Sequence, residues 1–332
     1  MLQIQTTQLE KKDAQRIYLL SAWQRICLLM KTKFAPYLKD VLPSIFSMAL
    51  LNPEMGISGQ EALADLSDVL NEIRPEEANE KKTNIVTDEI EEKDVAIQML
   101  AVFIDELGFA FAEYVEPASR VLLSLTKYTA NDSIRQTCVS ALPGLIKCAK
   151  QAGGVTQNLH NMARAFNGNI LEAMKEETET DVLISQTSAV KEILNEMGPG
   201  FLSQQEVDFL GDRSMTIIKK SLERIKELEE IKQEEAEDED DQLDAEDLNL
   251  IKDEGNNEYD LQIAAAELIG SLFKNAPNMV TAIVQTLRST TLNEAFTSEV
   301  QKRKKFGLFI LDDMVEHLGP NYFAPADYAV IV

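Results

Sequence analysis

The sequence predicts an all-α protein built from successive antiparallel helix pairs. Three observations carry this. Apolar residues recur at three- and four-residue spacing along almost the whole chain. Runs of alternating or β-branched residues bounded by turns are nearly absent; Asn84-Ile85-Val86-Thr87 is too short to build a sheet. Gly and Pro interrupt the pattern where one helix must end and the chain reverse, at Pro36, Gly108, Gly153-Gly154, Gly198-Pro199-Gly200, Pro277 and Gly319-Pro320.

Taken in order, the first helices of the pairs cover approximately 13–31, 90–108, 131–150, 179–197, 256–275 and 298–318. Their partners cover approximately 35–51, 112–129, 155–176, 203–232 and 277–290, and a last partner begins near 321 and is cut off. The stripe Tyr18, Ala22, Ile26, Leu29 predicts the buried face of the first helix. Val115, Ala118, Leu122, Leu125 and Val280, Ile283, Val284, Leu287 do the same for two second helices. Cys138 shares a stripe with Ile134, Ala141 and Leu145, where a small apolar core residue is the ordinary expectation.

The first helices end near Met30, Leu107, Cys148, Met197, Phe273 and Leu318, and three of the five steps between these ends fall between 41 and 49 residues. Each longer step contains a polar segment, 52–87 or 233–255, whose removal leaves 41 and 53 residues and brings both steps towards one period of 40 to 50. That period is the one of HEAT and armadillo repeats, so the expectation is a single α-solenoid over 1–332 with about six helix pairs and those two insertions. Local similarity supports it. Met197-Gly198-Pro199-Gly200-Phe201 matches Leu318-Gly319-Pro320-Asn321-Tyr322, and Phe34-Ala35-Pro36-Tyr37-Leu38 matches Phe111-Ala112-Glu113-Tyr114-Val115. Neither end carries a polar capping face, so the sequence reads as a piece of a longer stack. Within 52–87, Leu63, Leu66, Leu70 and Ile73 predict a small accessory helix.

Composition excludes several function classes. The chain has 332 residues, 45% hydrophobic, with 32 basic and 56 acidic side chains and a net charge of −24, so its field repels phosphate backbones and anionic lipid. Direct nucleic-acid or membrane binding is not expected. Three cysteines cannot make a disulfide scaffold, and no apolar run approaches the roughly 20 residues that span a bilayer.

Ten of the fourteen residues from 234 to 247 are acidic and none is basic: Glu234, Glu235, Glu237, Asp238, Glu239, Asp240, Asp241, Asp244, Glu246 and Asp247. Such a run repels itself and buries no face, so a flexible polyanion for a basic partner is expected there, against the plainer reading of a solvated insertion. Without it the charge is still −14, and Glu113, Glu116, Glu206 and Asp208, near the starts of second helices, are candidate acidic contacts on the concave side of the stack. Lys302-Arg303-Lys304-Lys305 is the one dense basic cluster and reads as the solvated opening of a helix.

Chemistry is not signalled. His160 and His317 are the only histidines, no Cys-x-x-Cys pair occurs, and phosphate loops, nucleophile elbows and dinucleotide turns are missing. No enzyme activity, cofactor or metal is expected. Asn131-Asp132-Ser133 matches a glycosylation sequon but reads better as a helix cap supplied by Asp132 or Ser133.

Beyond the period, particular blocks resemble a known family. Ser21-Ala22-Trp23-Gln24-Arg25-Ile26-Cys27 leading to Tyr37-Leu38, and Glu91-Glu92-Lys93 leading to Gln98-Met99-Leu100, are two of them. Asp181-Val182-Leu183 leading to Glu196-Met197-Gly198, and Leu311-Asp312-Asp313-Met314-Val315-Glu316-His317, are two more. In order and with matching insertions they resemble the middle-to-C-terminal HEAT repeats of the importin beta-3 family of karyopherins. The resemblance implies a fragment of a nuclear import receptor that binds basic cargo with Lys/Arg-rich signals, touches phenylalanine-glycine nucleoporins, releases cargo to Ran-GTP and shuttles between cytoplasm and nucleus. It carries over no individual binding residues. A static HEAT scaffold holding folded partners is the alternative.

Overall fold

The computed structural model describes residues 15–50, 75–237, 245–319 and Tyr322. The accessory helix expected at 63–73 and the last second helix lie outside these residues. Among the described residues there is no strand. The helices are α1 Gln15–Met30, α2 Leu38–Ala49, α3 Pro75–Leu107, α4 Val115–Leu125, α5 Asp132–Gly153 and α6 Gln157–Met174. They continue as α7 Thr180–Met197, α8 Gln204–Glu237, α9 Ala245–Asn275, α10 Thr281–Leu287, α11 Asn293–Thr297 and α12 Gln301–Leu318. The chain forms two compact units, Met1–Ala173 and Met174–Val332.

In the first unit, α3 packs on α1, α2 and α5. Two pairs open their second helix in the same way, through the seven-residue 3-10 helices Lys31–Tyr37 and Gly108–Tyr114. Phe34 and Phe111 hold the same place in each and are fully buried, each 5.8 Å from its own tyrosine, Tyr37 or Tyr114. Phe34 also meets Phe103 of α3 at 5.1 Å. The turn needs a left-handed residue: Gly108 has φ +50° and Lys31 has φ +49°. The same device follows α5, α7 and α12 at Gly154, Gly198 and Gly319.

The stripe expected in α1 is not its buried face. Tyr18 is 76% and Leu29 86% exposed, and the buried residues are Leu20, Trp23 and Cys27. The helix is apolar on more than one side, and Trp23 turns inward against Phe34 at 5.9 Å and Tyr37 at 6.5 Å, which rotates the expected stripe outward. In contrast, every residue of the stripes named for α4, α5 and α10 is buried. The cap of α5 is Asn131 itself, whose side chain accepts from the Ile134 amide at 3.0 Å, because Asn131 and not Asp132 has the extended backbone of a cap.

Helix α3 starts at Pro75, well before 90, and takes in the short β-branched run 84–87. Nothing between Glu76 and Glu89 breaks a helix, and Pro suits a first helical position. One described stretch, Glu89–Leu125, has the length and apolar content to cross a membrane, but the turn at Gly108 divides it and Ile97, Leu100, Phe103 and Ile104 lie in the unit's core.

In the second unit, α9 packs on α7, α8 and α12. Polar bonds join the layers: Lys191 with Glu267 at 2.5 Å, Asn275 with Asn195 at 3.2 Å, and Gln204 with the Met279 carbonyl at 2.9 Å. The second helix expected over 277–290 is segmented. A 3-10 turn at Pro277–Met279 precedes α10, and a π-turn at Arg288–Leu292 joins α10 to α11.

Candidate interaction surface

In the second unit α8 and α9 are much longer than the helix they pack beside, 34 and 31 residues against 18 in α7. At 1.5 Å per residue both helices run on the order of 20 Å beyond the span of α7. Burial follows that geometry. On α8, Val207, Leu210, Ile217, Ile218 and Ser221 are buried, Leu222, Ile225 and Leu228 are half-buried, and Ile231 is exposed. On α9, Leu248 and Leu250 are exposed, and continuous burial begins near Glu258. The end of α8 and the start of α9 therefore form a two-helix projection. Its Glu- and Lys-rich sequence favours helix without a core.

A polar clamp closes the root of this projection. Glu258 is 6% exposed and accepts from Arg224 Nε at 2.6 Å, Arg224 Nη2 at 2.8 Å and Thr180 Oγ1 at 3.1 Å. Ser221 donates to the Glu258 carbonyl at 2.9 Å and accepts from Gln262 at 3.0 Å. A buried carboxylate held by a planar, two-pronged cation has both its charge and its lone pairs satisfied.

Part of the acidic run belongs to these two helices. Glu234, Glu235 and Glu237 belong to the last turns of α8, and Glu246 and Asp247 to the first turn of α9. Asp238, Glu239, Asp240, Asp241 and Asp244 lie outside the described residues. The two flanks are not equivalent: acidic residues suit the positive N-terminal end of α9 and oppose the negative C-terminal end of α8, whose last turn has no basic residue.

The four other carboxylates are divided between the units. Glu113 is exposed in the 3-10 turn before α4. Glu116 is paired with Arg120 at 2.5 Å. Glu206 closes a capping box at the start of α8, accepting from the Ser203 amide at 2.8 Å and hydroxyl at 2.7 Å. Asp208 accepts from Gln204 at 2.8 Å. Three of the four thus have local partners, which their spacing alone implies: Ser-x-x-Glu, Glu-x-x-x-Arg and Gln-x-x-x-Asp.

A groove of about 270 Å³ runs beside the projection, between α8, α9 and the start of α12. Leu222, Ile225, Leu228, Leu248, Ile251 and Tyr259 supply its apolar lining. Lys232, Lys252, Lys302 and Arg303 supply cations, with Glu229 also present, and Lys302 Nζ lies 5.6 Å from the Tyr259 ring centre. Lys302 and Arg303 of the basic cluster thus line a groove, where charge density alone suggests only a solvated helix start. Among the described residues no group of three His, Cys, Asp or Glu side chains is placed to hold a metal.

No family model matches the chain. Importin subunit beta-3 of Saccharomyces cerevisiae is 27% identical over 164 residues, 48% of this chain and 14% of that protein. A probable importin-5 homologue of Dictyostelium discoideum is 22% identical over 320 residues, 94% of this chain and 28% of that protein. The chain spans less than a third of the length of these curated relatives. Among solved structures, a mutant of Kap121p matches with a TM-score of 0.71 at 16% identity, over 96% of this chain and 28% of that one. Kap121p bound to Pho4p gives 0.67 at 16%, over 95% and 28%, and Kap121p bound to RanGTP gives 0.59 at 17%, over 97% and 32%. The fold class is thus the HEAT-repeat α-solenoid of the karyopherins, and the sequence resembles importin beta-3 over about half of the chain and an importin-5 homologue over nearly all of it.

Proposed function

We propose that this chain is part of a nuclear transport receptor of the importin beta family, which binds basic cargo and answers to Ran-GTP in the full-length protein. The observation that carries the reading is the importin-5 homologue aligned over 94% of the chain, together with the matching fold of Kap121p. Solved complexes of Kap121p with Pho4p and with RanGTP support both kinds of partner for a protein of this fold. The receptor would also touch phenylalanine-glycine nucleoporins and shuttle between cytoplasm and nucleus.

The electrostatics fit a basic cargo. The run 234–247 begins in the last turns of α8 and ends in the first turn of α9, and its ten acidic residues carry the charge to steer a Lys/Arg-rich segment from a distance. Glu113 is an exposed contact, whereas Glu116, Glu206 and Asp208 meet a cargo cation by sharing or leaving their local partners. The test uses the full-length receptor and basic import signals, with and without Ran-GTP. Release by Ran-GTP supports the receptor; retention of two folded partners regardless of Ran-GTP makes it a static scaffold instead. Charge reversal of Glu113, Glu116, Glu206 and Asp208 to Lys, with the run neutralised, should abolish salt-dependent binding of the basic peptide. Unchanged binding removes the acidic surface from the mechanism.

A further inference from the structure

We infer that the groove between α8, α9 and the start of α12 is a second docking site, of opposite preference to the acidic run: it takes a short peptide of a partner protein that carries apolar side chains among acidic ones. Charge complementarity selects this occupant. The chain as a whole carries −24, yet Lys232, Lys252, Lys302 and Arg303 converge on one apolar floor. The floor is built on helical register. Leu222, Ile225 and Leu228 follow one side of α8, and Leu248, Ile251 and Tyr259 follow one side of α9. The start of α12 adds Lys302, held against the Tyr259 ring, as part of the third wall.

The size fits side chains of a peptide and not a whole cofactor, since about 270 Å³ lies just below the range of about 300–1,000 Å³ usual for small-molecule sites. Leu248 and Val300 at its margin are exposed, so apolar area is there to be covered. Basic cargo has no counterpart here, because Glu229 is the one carboxylate lining the groove against four cations.

Gly255 provides a clean probe. It lines the groove within α9, and a Cβ added there meets nothing within 4 Å, so Gly255→Leu fills the groove without straining the fold. A labelled peptide with leucine and phenylalanine among glutamates, and its counterpart with lysines replacing the glutamates, are titrated against the chain. The acidic peptide should bind, and bind about tenfold more weakly to Gly255→Leu and to the double variant Lys252→Glu/Lys302→Glu, with affinity falling as salt rises. The lysine peptide should be indifferent to Gly255→Leu. Equal binding of both peptides to the groove, or an acidic peptide insensitive to Gly255→Leu when circular dichroism shows the fold retained, overturns the proposal. Because the basic cargo site is not in this groove, its failure leaves this result standing.

Discussion

Arg224 grips Glu258 with two parallel bonds, 2.6 Å from Nε and 2.8 Å from Nη2, across the contact between α8 and α9. The pair stands where the buried part of the two helices gives way to their projection, and Glu258 is almost fully out of water.

Removing one partner should therefore cost more than removing both. Glu258→Ala leaves the guanidinium facing a half-buried site and is expected to destabilise the chain by about 2–4 kcal/mol. Arg224→Met with Glu258→Leu should recover most of the loss. Chemical denaturation measures both, and a double variant as unstable as Glu258→Ala contradicts the account.

Lys31 holds a left-handed backbone that the equivalent turn assigns to Gly108. A side chain costs about 1–2 kcal/mol in that conformation, whereas the Lys31–Glu106 contact at 3.7 Å, with Lys31 70% exposed, is worth a few tenths. Lys31→Gly should raise stability by about 1 kcal/mol, seen as a higher melting temperature. Lys31→Ala, which keeps a Cβ, should not.

Asp313 of α12 lies so close to α9 that a Cβ on Gly270 would meet its carboxyl. Burial raises its pKa above the ordinary carboxylate range, against the opposing pull of His317. The folded state therefore keeps this proton to higher pH than the unfolded state, and stability falls as pH rises from the ordinary carboxylate range through the raised value. Asp313→Asn should melt higher than the parent near neutral pH, and the advantage should vanish on acidification below the usual range. A constant difference across pH rules this titration out as the cause.

Cys27, Cys138 and Cys148 are buried and unpaired with one another. Burial pushes the Cys27 thiol up to about 12 and that of Cys148 to about 11, and raises Cys138 as well. At pH 8 none should react with a thiol reagent in the native protein, and all three should react in denaturant. Fast native labelling of Cys138 would show that α5 opens locally.

The sequence is legible where one face alone is apolar. The stripes of α4, α5 and α10 are buried as their spacing implies, and the likeness of 34–38 to 111–115 is a likeness of two 3-10 turns. In α1 the spacing admits two apolar faces, and the choice falls to Trp23, whose aromatic neighbours come from another segment. Charge counting also misplaces the ends of α8 and α9. Glu-rich segments form helix readily when a partner helix runs alongside, so α8 runs on to Glu237 and α9 starts at Ala245. The groove is invisible to any single window, because 222–232, 248–262 and 300–303 meet only through packing.

The turn closed by one left-handed residue also decides where this architecture can grow. Where Lys31 or Gly108 reverses the chain, the next helix follows with no connecting residue to spare, so added length there would pull Phe34 or Phe111 out of the core. Two links between pairs are longer in sequence: 51–74 joins α2 to α3 and 238–244 joins α8 to α9. Loop closure grows costlier only slowly with length. A tag or a whole domain grafted into either link should leave the repeats folded, while the same graft after Met30 or Leu107 should not.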